Sequence, residues 1–111
     1  MEQGSQTDLS PVCALGALTR EQRMQHQQAR EAVQQAIEET RELADGYAFR
    51  FLATPATLRA VAEFMGLEHL CCPFFAQALA LEPGKGGALW LRITGSEAAK
   101  AFMQAELGLV Y

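Results

Sequence analysis

Apolar side chains recur at helical spacing early in the chain. The segment Thr19–Gln22 reads T-R-E-Q and matches the S/T-x-x-E/Q capping box at which helices begin. In the first half of the helix that follows, Met24 is the only large apolar residue, whereas the second half carries an apolar stripe. The pattern predicts a long leading helix that ends at about Thr40. Its second half is expected to pack on the domain and its first half to protrude.

A second helix is predicted from Pro55 to about Cys71. Thr54 is a favourable N-cap, and proline at the first helical position loses no hydrogen bond. The helical spacing of apolar residues extends to His69 and Cys72, which predicts that both side chains belong to the buried stripe. Pro73 disfavours helical geometry at the residue before it, so the helix is expected to end or kink there.

Two β-hairpins are predicted from alternating apolar residues beside turn sequences. The first has Asp45-Gly46 between its two strands, a dipeptide that favours the type I′ turn. The second consists of F-F-A-Q-A-L-A-L-E and A-L-W-L-R-I-T-G, which are separated by the turn Pro83–Gly87. Three aromatic residues of the first hairpin alternate as a half-buried strand requires: Tyr47, Phe49 and Phe51.

The order of these elements predicts the fold class. Ser96 is expected to cap a final helix that ends near Gly108. The chain then reads as a long N-terminal helix followed by ββα-ββα, an α+β two-layer domain with a four-stranded antiparallel sheet. A length of 111 residues accommodates one core. We therefore expect a loose tail over residues 1–10 and a single domain over residues 11–111.

The composition argues against several classes of protein. The chain is 50% hydrophobic and 20% charged, which is a globular balance. A net charge of −4, without a compensating cluster of lysine and arginine, argues against nucleic-acid binding. No apolar stretch is long enough to span a bilayer, and the N-terminus lacks the basic start of a secretory signal. We predict a cytoplasmic protein with no membrane partner, in which reducing conditions keep the three cysteines as thiols.

The motif E-H-L-C-C-P-F-F, residues 68–75, is the candidate for chemistry. Buried cysteines are common and pack like small hydrophobic residues, so core packing is one interpretation of Cys71 and Cys72. Redox catalysis is disfavoured, because both cysteines close a helix, where the helix dipole opposes a thiolate. Metal binding is the other interpretation, because coordination itself stabilises the thiolate.

The spacing within this motif suggests metal ligands on two adjacent helix faces. His69 and Cys72 are three residues apart and are predicted to share one face, while Glu68 and Cys71 share the next. Cys13 would add a sulfur ligand if the apolar segment P-V-C-A-L-G-A-L folds back onto this helix end. A set of soft ligands of this kind suits Zn(II) or Cu(I).

Four segments together resemble a family of small bacterial proteins. They are a cysteine before the first helix, D-G-Y-A-F-R-F, L-E-H-L-C-C-P-F-F and L-W-L-R-I-T-G, and the resemblance covers residues 13–102. The family has no established activity, so it implies no reaction. Arg50 and Arg92 match its pattern, either as solvated side chains or as partners of a carboxylate such as Glu68. His69 stands where the relatives often have arginine, which shifts the candidate ligands toward four others: Glu68, Cys71, Cys72 and Cys13.

Three functions are compatible with these patterns. We expect first a small protein that binds a soft metal ion, or acts through a thiol, at the Cys-Cys-Pro-Phe helix end. The alternative is a homo-oligomeric interaction module, a homodimer through the leading helix, whose cysteines only pack the core. An enzyme is the third, but the sequence shows no Ser-His-Asp arrangement, and G-K-G-G after Pro83 is better explained as a hairpin turn than as a phosphate-binding loop.

Overall fold

The computed structural model describes residues 15–107. In this part of the chain, no helix is both long and apolar enough to cross a lipid bilayer. A short 3-10 helix, Leu15–Ala17, comes first. The remaining elements follow in this order: α1 Arg20–Ala36, β1 Glu39–Leu43, β2 Gly46–Leu52, α2 Pro55–Cys71, β3 Ala76–Leu81, β4 Ala88–Thr94 and α3 Glu97–Leu107.

The four strands form one antiparallel sheet in the order β1-β2-β4-β3. The predicted α+β class with a four-stranded antiparallel sheet is therefore confirmed. Phe49 pairs with Leu91, and Leu91 pairs with Leu79, so apolar residues line up across three strands. Because side chains alternate along a strand, one face of the sheet is apolar and packs under the helices. Its buried members on the two central strands are Tyr47, Phe49, Phe51, Leu89, Leu91 and Ile93.

The capping residues predicted from the sequence mark the starts of α1, α2 and α3 correctly. The capping box at Thr19 is present, with the Gln22 amide N–H donating to Oγ1 of Thr19 at 3.0 Å. Thr54 caps α2, and the Ala99 amide donates to Oγ of Ser96 at 3.1 Å at the start of α3. These signals are visible in the sequence because a cap involves residues only three apart.

The leading helix is shorter than predicted. It ends at Ala36, and Ile37 is already extended, with φ −66° and ψ 124°. Residues 39–43 form strand β1, and the Glu38 amide donates to the carbonyl of Arg50 at 2.8 Å. The prediction that the helix reaches Thr40 is wrong, because pairing with β2 overrides the helical preference of E-T-R-E-L.

The first half of α1 does not protrude as predicted. His26 is 7% exposed, and its ring stacks on Phe64 of α2 with 6.0 Å between centroids and 10° between planes. Met24, on the solvent side, is 59% exposed. The prediction failed because it counted His26 as polar, whereas its ring packs like an aromatic side chain.

The first hairpin turn also lies one residue earlier than predicted. Leu43 pairs with Gly46, so the two turn residues are Ala44 and Asp45, and Gly46 is the first residue of β2. Among the described glycines, the one with positive φ is Gly84 in the second hairpin, at 93°. Gly46 is instead required by space, because a Cβ there would collide with the carbonyl oxygen of Ile93.

Candidate functional site

A cleft of about 680 Å³ opens between α1, the C-terminal end of α2, and α3. Its outer rim is polar and includes Arg20, Arg23 and Gln27 from α1. Its floor is apolar and rich in aromatic rings and sulfur. The floor residues are Phe64, Cys72, Phe75, Ile93, Phe102 and Met103. Nine of the sixteen lining residues are polar or charged, so the cleft is more polar than a typical small-molecule pocket.

His26 and Glu68 form a nearly buried pair in the wall of this cleft. Nε2 of His26 lies 2.7 Å from Oε1 of Glu68, and the two side chains are 9% and 13% exposed. Because the pair joins α1 to α2, it fixes the position of the leading helix beside the motif. Removing a carboxylate from water costs free energy, and the hydrogen bond from His26 offsets part of this cost for Glu68.

The end of α2 directs Cys72 toward the same cleft. The Cys72 amide donates to the Glu68 carbonyl at 2.6 Å, and its backbone leaves helical geometry with φ −131° and ψ 70°. Pro73 follows and prevents the helix from continuing. Cys71 and Cys72 are 0% and 2% exposed and both belong to the hydrophobic core, but only Cys72 also lines the cleft. The motif therefore contributes Glu68 and Cys72 to one cleft.

His69 does not share a buried face with Cys72, and that prediction is wrong. His69 is exposed, and the buried residues of α2 are Val61, Phe64, Leu67 and Cys71. The packing of α1 against Phe64 rotates the buried stripe away from His69. The predicted end of α2 at Cys71 is confirmed, and Cys72 is buried as expected, so the error concerns His69 alone.

Within residues 15–107, no three His, Cys, Asp or Glu side chains are grouped closely enough to hold a metal ion. Cys13, the remaining predicted ligand, lies outside the described residues. The chain just after it is anchored to the domain, because the 3-10 helix contacts α2 and Leu18 is 3% exposed in the core.

The arginines of the sheet are remote from the cleft. Arg50 lies on the face opposite the core, where its Nη1 donates to Oε1 of Glu38 at 3.4 Å. Arg92 is exposed on the same face, and neither arginine reaches Glu68, as had been considered. Three arginines of α1 border the cleft, Arg20, Arg23 and Arg30. Of these, Arg30 donates to the Glu106 carbonyl, and its Nη1 lies 3.7 Å from Oε1 of Glu106. This contact joins α1 to α3.

The sequence did contain a signal for His26. The buried residues of α1 are His26, Ala29 and Val33, at the spacing i, i+3, i+7. Extending the apolar stripe of the second half by one turn toward the N-terminus reaches His26. Its partner Glu68 was not predictable, because the two residues are 42 positions apart.

Comparison with protein-family models, with curated proteins and with solved structures finds no match for this chain. The function of this protein is therefore inferred from the geometry of the cleft itself.

Proposed function

We propose that this protein binds a soft metal ion, Zn(II) or Cu(I), at the cleft, with Cys72 and Glu68 as ligands from α2. The observation that carries the proposal is the convergence of these two motif residues on one cleft, where His26 holds the carboxylate. Thiols bind metal in their reduced form, so the proposal places the protein in a reducing compartment such as the cytoplasm.

His26 has a supporting role in this proposal. Its Nε2 engages Oε1 of Glu68 at 2.7 Å, so Oε2 is the oxygen that a metal would contact. Carboxylate ligands of metal sites are commonly held by a hydrogen bond of this kind, and loss of the partner typically lowers affinity 10- to 100-fold, as an order of magnitude. His26 therefore orients the ligand without having to coordinate the ion.

Cys13 is the proposed third ligand. Because residues 15–107 contain no group of three ligands, at least one must come from outside that range. The only potential ligands of this type there are Glu2, Asp8 and Cys13. Leu18 is five positions after Cys13, so their Cα atoms are at most about 18 Å apart. Since Leu18 is fixed in the core, Cys13 is, of these three residues, the one nearest along the chain to an anchored position.

The surroundings of Cys72 suit a metal better than a reactive thiolate alone. Cys72 caps the C-terminal end of α2, where the partial negative charge of the helix dipole disfavours a thiolate. A bound cation reverses this balance and stabilises the deprotonated sulfur. Phe75 and Phe102 line the cleft beside it, and an apolar surround strengthens metal–thiolate contacts.

The proposal is tested by chelator competition with Zn(II) and anaerobic Cu(I) on the full chain. We expect one equivalent bound by the unaltered protein, loss of binding in Cys72→Ala and Cys13→Ala, and weaker binding in Glu68→Gln. The matched control is His69→Gln, which alters an exposed histidine one residue from Glu68 and should bind as the unaltered protein does. Equal affinity in Cys72→Ala and the unaltered protein would reject the site.

A homodimer through the leading helix is the second proposal, with the cysteines only packing the core. Met24 supports it, because 59% of this large apolar residue is exposed on α1. The predicted protrusion of the first half of α1 no longer supports a dimer, because His26 in that half packs against α2 of the same chain.

A further inference from the structure

The two edges of the sheet differ sharply in charge. The edge strands are β1 and β3. β1 reads E-T-R-E-L, and Nε of its Arg41 donates to Oε2 of Glu39 at 2.6 Å. β3 reads A-Q-A-L-A-L and carries neither charge nor proline. Charged side chains and prolines are the usual protection against pairing with another chain, so β1 is protected and β3 is not.

Within the described residues, the outer side of β3 is paired with no other strand. β3 pairs with β4 alone in the described sheet, so its other row of backbone N–H and C=O groups faces outward. Ala76, Ala78 and Ala80 are exposed, and Leu81 is 63% exposed. Such a strand can accept one more antiparallel strand without moving any side chain of the core.

We propose that β3 pairs antiparallel with β3 of a second copy of this chain, so that two four-stranded sheets become one continuous sheet. Residues opposite one another in an antiparallel pair lie on the same face. With Leu79 opposite Leu79 of the second copy, Ala78 would oppose Ala80 on one face and Gln77 would oppose Leu81 on the other. No like charges meet in this arrangement, and the two-fold pairing is self-complementary.

The chemistry of the strand selects a second copy as the occupant. Gln77 Nε2 donates to the Met65 carbonyl of α2 at 3.1 Å, which shows that the odd-numbered residues face the helices. Leu79 already packs against the core, so the leucines of both copies would form one apolar layer and cover Leu81. A charged peptide would find no countercharge on β3, whereas a strand of the same uncharged, alternating composition matches it.

The expected dimer is weak and reversible. A six-residue strand contributes much less than the roughly 800 Å² per partner of a stable interface. We therefore expect dissociation in the micromolar range or above, without dependence on metal. This inference is independent of the proposed metal site, since β3 contributes no residue to the cleft.

The test is sedimentation velocity of the full chain from micromolar to millimolar concentration, with charge-swapped variants. Ala78→Lys with Ala80→Lys, and separately Ala78→Glu with Ala80→Glu, should each be monomeric, because like charges would oppose one another across the pair. An equimolar mixture of the two should associate again. The matched control, Ala101→Lys with Ala105→Lys, alters exposed alanines of α3 and should dimerise as the unaltered chain does.

The remaining outcomes overturn the proposal. The unaltered chain could be monomeric at every concentration, or the Lys variant could dimerise as the unaltered chain does. The mixture of the Lys and Glu variants could stay monomeric. Finally, Met24→Lys could abolish a dimer that the β3 variants retain. Should the β3 variants fail to fold, hydrogen exchange on the unaltered chain decides. Protection of the outward β3 amides must then rise with protein concentration, and a constant protection rejects the pairing.

Discussion

His26 is the residue through which α1 contacts the motif helix. Its ring lies on Phe64 and its Nε2 on Glu68, so one side chain contributes both an apolar contact and a charge-assisted hydrogen bond. Loss of a buried partner costs more than the bond itself, because the remaining polar group stays desolvated. We therefore expect substitution of His26 to lower the free energy of unfolding far more than substitution of His69.

Replacement of His26 by alanine should lower the free energy of unfolding by about 2–4 kcal/mol, from the cavity it leaves and from the unpaired, nearly buried Glu68. His69→Ala, at an exposed position of α2, should change it by no more than about 0.5 kcal/mol. Urea unfolding of both variants measures the two values. Equal effects would mean that the His26–Glu68 contact does not contribute to stability.

The two adjacent cysteines should also behave differently. Both are buried in the hydrophobic core, but only Cys72 also lines the cleft. Cys71→Ala is expected to cost roughly 1–2 kcal/mol of stability through a small cavity and to retain metal binding. Cys72→Ala is expected to lose metal binding. Chelator competition combined with urea unfolding checks this, and loss of metal binding in Cys71→Ala would reverse the assignment.

At the scale of elements, the sequence predicted what depends on neighbours in the chain. The N-caps Thr19 and Thr54 and the end of α2 at Cys71 follow from local geometry. The end of α1 does not, because residues 39–43 favour a helix by composition and become a strand only by pairing with β2. The burial of His26 and its pairing with Glu68 likewise depend on how two distant segments pack.

Two glycines show how an element restricts a residue. A Cβ at Gly46 in β2 would meet the backbone of Ile93, whereas a Cβ at Gly66 in α2 meets nothing within 4 Å. Gly46→Ala should therefore destabilise the protein by on the order of 3 kcal/mol, since the adjacent strand has to shift. Gly66→Ala should stabilise it by about 0.5–1 kcal/mol through higher helix propensity. Thermal unfolding checks both, and a Gly46→Ala variant as stable as the unaltered protein would contradict the close approach of β2 and β4.

At the scale of the whole molecule, the candidate sites occupy different parts of the fold. The cleft lies among the helices, with Arg30 and Glu106 closing one side between α1 and α3. The opposite sheet face carries Arg41 over the ring of Trp90 at 4.6 Å, and the uncharged strand lies at its edge. Metal binding and self-association can therefore be altered separately by substitution.

A metal that binds only the folded chain should stabilise the whole molecule. At a free Zn(II) concentration 100 times the dissociation constant, the gain in unfolding free energy is about 2.7 kcal/mol. We expect this gain for the unaltered protein and for His69→Gln, and none for Cys72→Ala. Urea unfolding with buffered Zn(II) measures it. An equal gain in Cys72→Ala would place the ion elsewhere.

The central claim is that the thiol of Cys72 coordinates a metal ion together with Glu68 and Cys13. Zn K-edge X-ray absorption of the protein loaded with one equivalent of Zn(II) observes these ligands directly. We predict two sulfur ligands at about 2.3 Å and oxygen or nitrogen ligands at about 2.0–2.2 Å, and no equivalent of zinc retained by Cys13→Ala. A shell of oxygen and nitrogen alone would contradict the account and leave the cysteines as core packing.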